Sequence, residues 1–229
     1  MSEERHELKV PLDAYRLDYV QSWLSRHVSL SDEREPSMVN SLYFDTPTLS
    51  AAAHNLAGLS VRAKPRLRWY EAKDPSQITQ PILEIKQRNG RLGSKVRFPA
   101  ALEVAELITA AREYNQITPY VEALLKTHRP ELVAFTQPTL LVQYQRQYLH
   151  TPEGVRVTLD TSIRFCDASP FERVFGGPRH DYATPVLELK FTPELTDCAQ
   201  HLLQSLNLRP RRHSKYVAGL AEFGKVNYW

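Results

Sequence analysis

The feature that most constrains the fold is an alternation of charged and aliphatic residues in three well-separated segments. Residues 82–88 read Ile-Leu-Glu-Ile-Lys-Gln-Arg, so charged and aliphatic side chains take turns along the chain. The motif Glu-aliphatic-Lys also occurs at residues 7–9 and again at residues 188–190. In a β-strand this period of two puts the charged side chains on one face and the aliphatic ones on the other. The repetition predicts several strands with the same two-faced character.

Further segments share the pattern and place basic, aromatic or polar residues on a common face. These segments are residues 66–70, 95–98, 144–148 and 155–160. One interpretation is that the charged faces are the solvated surfaces of ordinary strands, because charged residues are mostly exposed in proteins. The other is that the charged faces converge inside a closed barrel, and that helices cover the aliphatic outer faces. We favour the barrel because the pattern recurs in so many segments.

The composition is that of an ordinary globular protein and limits the classes of function. The chain has 229 residues, of which 42% are hydrophobic and 24% charged, and its formal net charge is +3. We expect a single domain that spans residues 1–229. A net charge this small, with carboxylates interspersed among the basic residues, argues against a nucleic-acid partner. Basic residues clustered on one lining would nevertheless attract anions strongly.

Cysteine usage and hydropathy indicate a cytoplasmic protein. Cys166 and Cys198 match no metal-binding spacing, and the reduced cytosolic state is the default for such cysteines. The sequence has no apolar run near the length of about 18 residues that a membrane span requires. The charged N-terminus lacks the apolar region of a secretory signal. We therefore expect a cytoplasmic location, with any membrane association supplied by a separate protein.

The predicted elements alternate between a sheet and helices, which defines an α+β class. Strands are predicted at residues 5–12, 38–44, 59–62 with 65–71 (as one strand or a pair), 82–88, 94–98, 138–149, 155–165 and 186–191. Helices are predicted at residues 13–27, 51–58, 101–129 (as two helices), 193–206 and 214–224. Loops are predicted at residues 29–37 and 168–183. One mostly antiparallel barrel with surrounding helices is the simplest architecture for this order.

Basic residues dominate the predicted lining and indicate an anionic ligand. The cations are Lys9, Arg66, Arg68, Lys86, Arg88, Lys95, Arg97, Arg146, Arg156, Lys190 and Lys215. Burying so many positive charges without anions would be very costly. Guanidinium groups match phosphate oxygens with two parallel hydrogen bonds, and lysines add point charge. A polyphosphate or a nucleoside triphosphate therefore fits this lining best.

Three carboxylates on the same faces require a separate explanation. Glu7, Glu84 and Glu188 each precede a Lys by two residues. One interpretation is that they bind a hard divalent cation, Mg²⁺ or Mn²⁺, which bridges phosphate oxygens. The alternative is that each one forms an ion pair with a basic residue of a neighbouring strand. From the residues alone, both interpretations stay open for each glutamate.

Nine segments, in this order, resemble the triphosphate tunnel fold, and specifically the polyphosphate polymerase domain of the vacuolar transporter chaperone type. The segments are Arg-His-Glu-Leu-Lys (5–9), Ser-Leu-Tyr-Phe-Asp-Thr (41–46), Arg-Leu-Arg-Trp-Tyr (66–70), Leu-Glu-Ile-Lys (83–86), Ser-Lys-Val-Arg (94–97), Tyr-Gln-Arg (144–146), Arg-Val-Thr-Leu-Asp-Thr (156–161), Val-Leu-Glu-Leu-Lys-Phe (186–191) and Ser-Lys-Tyr (214–216). A single Glu-x-Lys is weakly specific, whereas nine segments in order over nearly the whole chain are specific for the fold.

The resemblance implies a closed eight-stranded antiparallel tunnel that binds ATP and polyphosphate. It also implies transfer of the γ-phosphoryl group of ATP to a growing polyphosphate chain, with Mn²⁺ or Mg²⁺. By the same match, Glu188 holds the metal, and the phosphates in the reaction are held by Lys9, Arg66, Arg68, Lys86, Arg146, Arg156 and Lys215. The wider superfamily begins with Glu-x-Glu-x-Lys, and this chain has Arg5 at the first glutamate position, which removes one potential metal ligand.

Three functions are compatible with this pattern. The first is an ATP-dependent polyphosphate polymerase, in which the end of the chain attacks ATP. The second is a hydrolase of the same fold, in which water attacks tripolyphosphate or a nucleoside triphosphate. The third is a regulatory subunit that binds polyphosphate without turnover. The basic residues favour binding in all three cases and cannot distinguish between them.

Overall fold

Antiparallel strands form the framework of the protein, and helices cover their aliphatic faces. The structure is a computed structural model, and it describes residues 5–30, 36–71, 80–89, 92–100, 106, 114–168 and 177–228. The chain divides into two compact units, each assembled from three separated segments. The predicted α+β class is therefore correct. The predicted single domain and the closure of the sheet into a barrel stay predictions.

The secondary structure follows the predicted order. The strands are β1 (His6–Pro11), β2 (Ser29–Leu30), β3 (Ser37–Asp45), β4 (Val61–Tyr70), β5 (Ile82–Asn89), β6 (Leu92–Pro99), β7 (Gln137–His150), β8 (Arg156–Asp167), β9 (Arg179–Tyr182) and β10 (Val186–Phe191). The α-helices are α1 (Leu17–His27), α2 (Ser50–Leu56), α3 (Tyr114–His128), α4 (Thr196–Ser205) and α5 (Lys215–Glu222). Within the described ranges, no helix combines the length and apolarity that a membrane span needs.

The first unit contains Met1–Met38, Tyr144–Ile163 and Asp181–His213. Its strands lie in the order β1-β10-β8-β7, with antiparallel pairing between β1 and β10 and between β10 and β8. The alternating aliphatic residues of these strands pack against apolar residues of α1 and α4 in one buried cluster. The helices therefore cover the aliphatic face, as the alternation predicted, and leave the opposite face to the charged residues.

The second unit contains Val39–Gln143, Arg164–His180 and Ser214–Trp229. Its strands lie in the order β7-β3-β4-β5-β6, and β3, β4, β5 and β6 pair antiparallel in sequence. Leucines and isoleucines of β3, β4 and β5 pack against Ile117, Val121 and Leu125 of α3 in a second buried cluster. The strands predicted at residues 82–88 and 94–98 pair with each other as β5 and β6.

Several element boundaries differ from the sequence prediction. The segment predicted as one strand or a pair is a single strand, β4, which runs through Pro65. The predicted loop at residues 168–183 contains β9, a short strand that pairs with β8. Pro119 lies inside α3 rather than near its start, since α3 begins at Tyr114. The other helix predicted within residues 101–129 lies outside the described residues, apart from Glu106.

Gly219 of α5 packs closely against Leu140 and Phe165 within the second unit. A larger residue at this position should therefore destabilise the protein. A Cβ atom there would lie 2.6 Å from Leu140 Cδ2 and 2.8 Å from Phe165 Cδ1. Alanine is a better helix former than glycine by about 1 kcal/mol, but forced overpacking typically costs about 1–3 kcal/mol. We expect Gly219→Ala to lower the free energy of unfolding by about 1 kcal/mol in chemical denaturation. An increase would show that the helix can shift to make room.

Candidate functional site

Five charged residues on the charged faces of the strands are buried, which argues against the interpretation that these faces are ordinary solvated surfaces. Glu84 is 1% exposed, Arg68 5% and Arg66 8% in the second unit. In the first unit, Glu188 is 5% exposed and Asp160 is fully buried. Charged groups are rarely buried unless they are paired. These residues therefore form two charged clusters, one in each unit, and each is described separately.

The first cluster is set by the register of β3, β4, β5 and β6. Tyr43 is the cross-strand partner of Arg66, Arg66 of Glu84, and Glu84 of Arg97. Cross-strand partners lie on the same face with their side chains in reach of each other. This row, with Arg68 at the position two residues beyond Arg66, is called the Glu84 cluster.

Glu84 accepts hydrogen bonds or ion pairs from four basic side chains. Its Oε2 atom lies 2.6 Å from Arg66 Nη2 and 3.4 Å from Arg68 Nη1. Its Oε1 atom lies 3.0 Å from Arg97 Nε and 3.3 Å from Lys95 Nζ. Arg66 also donates to Tyr43 Oη at 2.8 Å. Within the described ranges, one carboxylate is therefore shared by four cations, which makes the surroundings of Glu84 predominantly positive.

A row of three lysines lies next to the Glu84 cluster. Lys64 of β4 is the cross-strand partner of Lys86 of β5, and Lys86 is the partner of Lys95 of β6. Like charges directly opposite each other in a sheet are destabilising. The row therefore adds to the positive excess and favours a bound anion. Lys86 and Lys95 were predicted from the sequence to lie in the lining, whereas Lys64 was not.

Lys215 begins α5, and its neighbours are fixed by the core of the second unit. Lys64 Nζ donates to Ser214 Oγ at 3.3 Å, so β4 and the start of α5 are in contact. Tyr216 Oη donates to the buried Asp45 carboxylate at 2.6 Å, and its ring stacks on Tyr43 with centroids 4.8 Å apart. Burial, with the Asp45 charge adding to it, raises the pKa of Tyr216 strongly. These contacts hold the segment that carries Lys215.

The positive excess changes the proton affinity of the Glu84 cluster. Burial alone would raise the pKa of Glu84, but the charges of Arg66 and Arg68 outweigh it and hold this pKa far below its usual value. Burial lowers the pKa of Lys95 to about 8, and the attraction of Glu84 only partly opposes this. Burial alone would also raise the pKa of Tyr43, yet the same arginines lower it. All three shifts favour the deprotonated form, as expected where several positive charges lie close together.

The second cluster is set by the register of β1, β10 and β8, and it is richer in carboxylates. Lys9 is the cross-strand partner of Glu188, and Glu7 is the partner of Lys190. Lys9 Nζ lies 2.9 Å from Glu7 Oε1 and 3.7 Å from Glu188 Oε2, and Lys190 Nζ lies 2.5 Å from Glu188 Oε1. We call these four residues the Glu188 cluster. Its two carboxylates match its two cations, in contrast to the Glu84 cluster.

Arg146 of β7 forms a bidentate pair with Asp160 of β8 in the same unit. The Nε and Nη2 atoms of Arg146 donate to the two carboxylate oxygens of Asp160 at 2.6 and 2.7 Å. The guanidinium also lies over the rings of Tyr144 and Tyr148, as their predicted common face requires. Burial works against the charged form, but Asp160 outweighs it and raises the pKa of Arg146. From the sequence, Asp160 is predicted only to share a strand face with Arg156 and Thr158, and its pairing with Arg146 is not predicted.

Arg156 and Arg88, also predicted for the lining, are placed differently. Arg156 is the cross-strand partner of Lys190 but is exposed at the start of β8. Arg88 lies in β5, and its side chain is outside the described part of the structure. Thr158, the cross-strand partner of Glu188, carries a buried hydroxyl without a hydrogen-bond partner among the described residues. The sequence predicts that Thr158 shares a strand face with Arg156 and Asp160, but it gives no sign of a functional role for Thr158.

The carboxylates differ in how well they fit a divalent metal ion. In the described part of the chain, no group of three or more His, Cys, Asp or Glu residues could hold a metal ion. Mg²⁺ commonly uses only one or two protein carboxylates together with water and substrate phosphates. Glu188 and Glu7 come nearer to this requirement, because Lys9 contacts both carboxylates and two lysines, Lys9 and Lys190, contact the oxygens of Glu188. Glu84 fits it poorly, because four basic side chains occupy both of its oxygens.

Antiparallel strands with a helix-covered aliphatic face and a buried basic face define the triphosphate tunnel class of folds. A family model described as the VTC domain matches residues 4–223. The chain therefore belongs to the VTC domain family, as the resemblance predicted. A comparison with curated proteins gave no match.

Two solved structures share the fold at low sequence identity. The PH1819 protein from Pyrococcus horikoshii OT3 is 13% identical, with 96% of this chain and 99% of that chain covered and a TM-score of 0.56. The putative adenylyl cyclase HpAC1 from Hippeastrum, described as having a dominant triphosphatase activity, is 16% identical. In that comparison 98% of this chain and 97% of that chain are covered, with a TM-score of 0.54. At these identities the likeness concerns the fold alone.

The lowered pKa of Lys95 predicts opposite pH effects on stability and on anion binding. The ordinary pKa of a lysine is 10.5, whereas that of Lys95 in the folded protein is about 8. Between these two pH values, Lys95 binds more protons in the unfolded chain than in the folded protein. The free energy of unfolding should therefore rise with pH across this window, whereas tripolyphosphate affinity should fall as Lys95 loses its charge. Denaturation and calorimetric titration at several pH values would measure both trends. In Lys95→Met both trends should weaken, and unchanged trends would contradict the assignment.

Proposed function

We propose that this protein is a polyphosphate polymerase-like enzyme that binds ATP and polyphosphate on its basic faces. It transfers the γ-phosphoryl group of ATP to a growing polyphosphate chain with the help of Mn²⁺ or Mg²⁺. The main support for this proposal is the cluster of four cations around Glu84, two of which, Arg66 and Arg68, are buried, because such a cluster favours a polyanion. Membership of the VTC domain family supports the same substrate class.

The proposed roles follow the charge of each cluster. In the second unit, Arg66, Arg68, Lys86 and Lys215 hold phosphates, with added charge from Arg88, Lys95 and Arg97. In the first unit, the proposed phosphate-binding residues are Lys9, Arg146, Arg156 and Lys190. Guanidinium groups fixed by ion pairs are already oriented, so little reorganisation is needed when phosphate binds.

The reaction needs positioning and charge neutralisation rather than a protein nucleophile. A terminal oxygen of the polyphosphate chain attacks the γ-phosphorus of ATP and forms a new P–O bond. The bond between the γ-phosphorus and the bridging oxygen breaks at the same time, and ADP leaves. The arginines and lysines hold donor and acceptor in line and stabilise charge on the transferring group.

We propose Glu188, with Glu7, as the residues that hold the divalent metal ion. A bound Mn²⁺ or Mg²⁺ neutralises charge on the phosphate oxygens of the substrate. Glu84, the third carboxylate predicted from the sequence, is assigned instead to ion pairing with its four basic neighbours. In this proposal both units bind phosphate, and the carboxylates that hold the metal ion belong to the first unit.

Incubation of the purified protein with ATP and Mn²⁺ tests the proposed reaction directly. We expect long polyphosphate chains on a gel, together with ADP in an amount equal to the phosphate incorporated. Free phosphate as the only product would reject the polymerase and favour a hydrolase. Tight, salt-sensitive binding of polyphosphate without turnover under either metal would favour a regulatory subunit.

Hydrolysis of tripolyphosphate or a nucleoside triphosphate is the second candidate function. The fold shared with HpAC1, which is described as having triphosphatase activity, favours this alternative. The basic residues would bind the substrate in the same way, and water would replace the chain end as the attacking group. The gel test above distinguishes the two, because only polymerisation retains the γ-phosphate in a chain.

The proposal also includes closure of the sheet and the location of the protein in the cell. We propose that the strands close into the eight-stranded tunnel predicted from the sequence, within one functional domain. We also propose a cytoplasmic protein, for which a separate membrane protein supplies any association with a membrane. Cross-linking of cysteine pairs introduced at the ends of β1 and β6 would test closure, since adjacent strands bring such pairs within disulfide distance.

A further inference from the structure

An exposed group of basic residues lies beside Lys9, and the proposed reaction does not use it. Residues 209–212 read Arg-Pro-Arg-Arg, and all four are exposed. We call this segment the basic loop. Among the described residues, neither Arg209 nor Arg211 has an ion-pair partner, in contrast to Arg146. Two unpaired arginines close to a proposed phosphate-binding residue suggest an additional contact for a polyanion.

The backbone of the basic loop is fixed next to β1. The Arg211 N–H donates to the Lys9 carbonyl oxygen at 2.8 Å, so the loop is attached to this strand. The residues on either side of the loop, Leu208 and His213, are buried. Pro210 restricts the backbone further, because its ring fixes φ. The arginines are therefore presented from a backbone anchored at both ends and at its centre.

The position of the loop extends the positive charge beyond the Glu188 cluster. Lys9 belongs to that cluster, and β1 is the edge strand of its unit. A triphosphate is short and can be satisfied by the residues already assigned to phosphate binding. A longer chain that leaves the site past β1 would reach the basic loop. Each further contact between an arginine and a phosphate adds affinity that falls with salt concentration.

We propose that the basic loop is a secondary binding surface for long-chain inorganic polyphosphate. The loop makes the protein prefer long chains over triphosphate, and it keeps the growing chain attached between additions. The inference rests on the proposed function, because it assumes that phosphate binds beside Lys9. It adds a chain-length preference and assigns it to Arg209 and Arg211.

Binding measurements with ligands of two lengths test this assignment. Titration calorimetry would compare wild type with Arg209→Gln/Arg211→Gln, using long-chain polyphosphate and tripolyphosphate without ATP. We expect the variant to bind long chains about five- to tenfold more weakly and tripolyphosphate within about twofold of wild type. The dependence of log K on log salt for long chains should flatten by about one to two. The control Arg26→Gln/Lys126→Gln removes the same charge from exposed helix positions and should change neither affinity appreciably.

Several results would overturn the proposal. Equal losses for both ligands would mean that the arginines act on the triphosphate site, and no loss would mean that the loop does not bind. A loss of the same size in the control would assign the effect to net charge. Tighter binding of a single-stranded oligonucleotide than of polyphosphate would assign the loop to nucleic acid. A wild type that binds neither phosphate ligand would reject the proposed function, whereas wild-type binding unaffected by the loop variant rejects this inference alone.

Discussion

Replacing Glu84 by alanine is expected to lower the free energy of unfolding by about 3–5 kcal/mol, because it removes the carboxylate that offsets the charge of the buried Arg66 and Arg68. Glu84 is 1% exposed, and its oxygens contact Arg66, Arg68, Lys95 and Arg97. Urea denaturation of wild type and variant measures the difference. Glu131→Ala is the control, because this glutamate also pairs with an arginine but is largely exposed, so its replacement should change stability far less than Glu84→Ala does.

An anion should restore part of the stability that Glu84→Ala loses. A ligand that binds only the folded state stabilises it in proportion to the logarithm of ligand concentration over Kd. Without Glu84, the cluster attracts anions more strongly, so tripolyphosphate should raise the melting temperature of the variant more than that of wild type. An equal shift in both proteins would mean that the anion binds elsewhere. A loss of stability no larger than that of Glu131→Ala would contradict the assigned ion pairs.

Acid titration gives an independent check on the same carboxylate. The pKa of Glu84 is held below the ordinary value of 4.5, because the neighbouring cations outweigh its burial. Its contribution to stability is therefore complete above about pH 4.5 and is lost as the pH falls toward the folded-state pKa. Wild type should lose more stability than Glu84→Ala over this acid range.

The alternation along the strands predicted the antiparallel sheet and its helix-covered aliphatic faces correctly, because a period of two leaves few choices for each side chain. In residues 82–88, Leu83 and Ile85 pack into the core, while Glu84 lies on the opposite face. Burial of that opposite face does not follow from the alternation, since exposed strands show the same pattern. Repetition over many segments, and the resemblance to a family, were the only signals in the sequence for a buried charged face.

Residues that the sequence analysis missed depend on register, which a single strand does not reveal. Lys64 has the same spacing from Arg66 as Arg66 has from Arg68, but Pro65 suggested a break at that point. The partner of Arg146 is Asp160, and the pairing of β7 with β8 was needed to identify it. Strand register also decides whether Glu84 can bind a metal ion, because the neighbouring strands β4 and β6 place four cations against its carboxylate.

Glu188→Ala is expected to reduce turnover by about 100-fold or more while leaving polyphosphate binding largely intact, because a proposed metal ligand is removed from a phosphate site that keeps its cations. Lys9 and Lys190, which contact Glu188, stay in place and are relieved of a competing carboxylate. Turnover of ATP and metal-free binding of tripolyphosphate should therefore respond differently. Mn²⁺ binding, measured by electron paramagnetic resonance without ATP, should weaken in the variant and provides a readout that does not depend on turnover.

The outcome for Glu188→Ala separates a metal ligand from a structural ion pair. Glu194→Ala is the matched control, since Glu194 lies on an exposed turn nearby in sequence and should affect none of the three measurements. Full turnover in Glu188→Ala would refute the metal assignment and leave Glu188 as a partner of Lys9 and Lys190. A parallel loss of turnover and of metal-free binding would indicate that Glu188 organises the lysines. Only loss of Mn²⁺ binding together with loss of turnover, at retained phosphate affinity, fits a carboxylate that holds the ion.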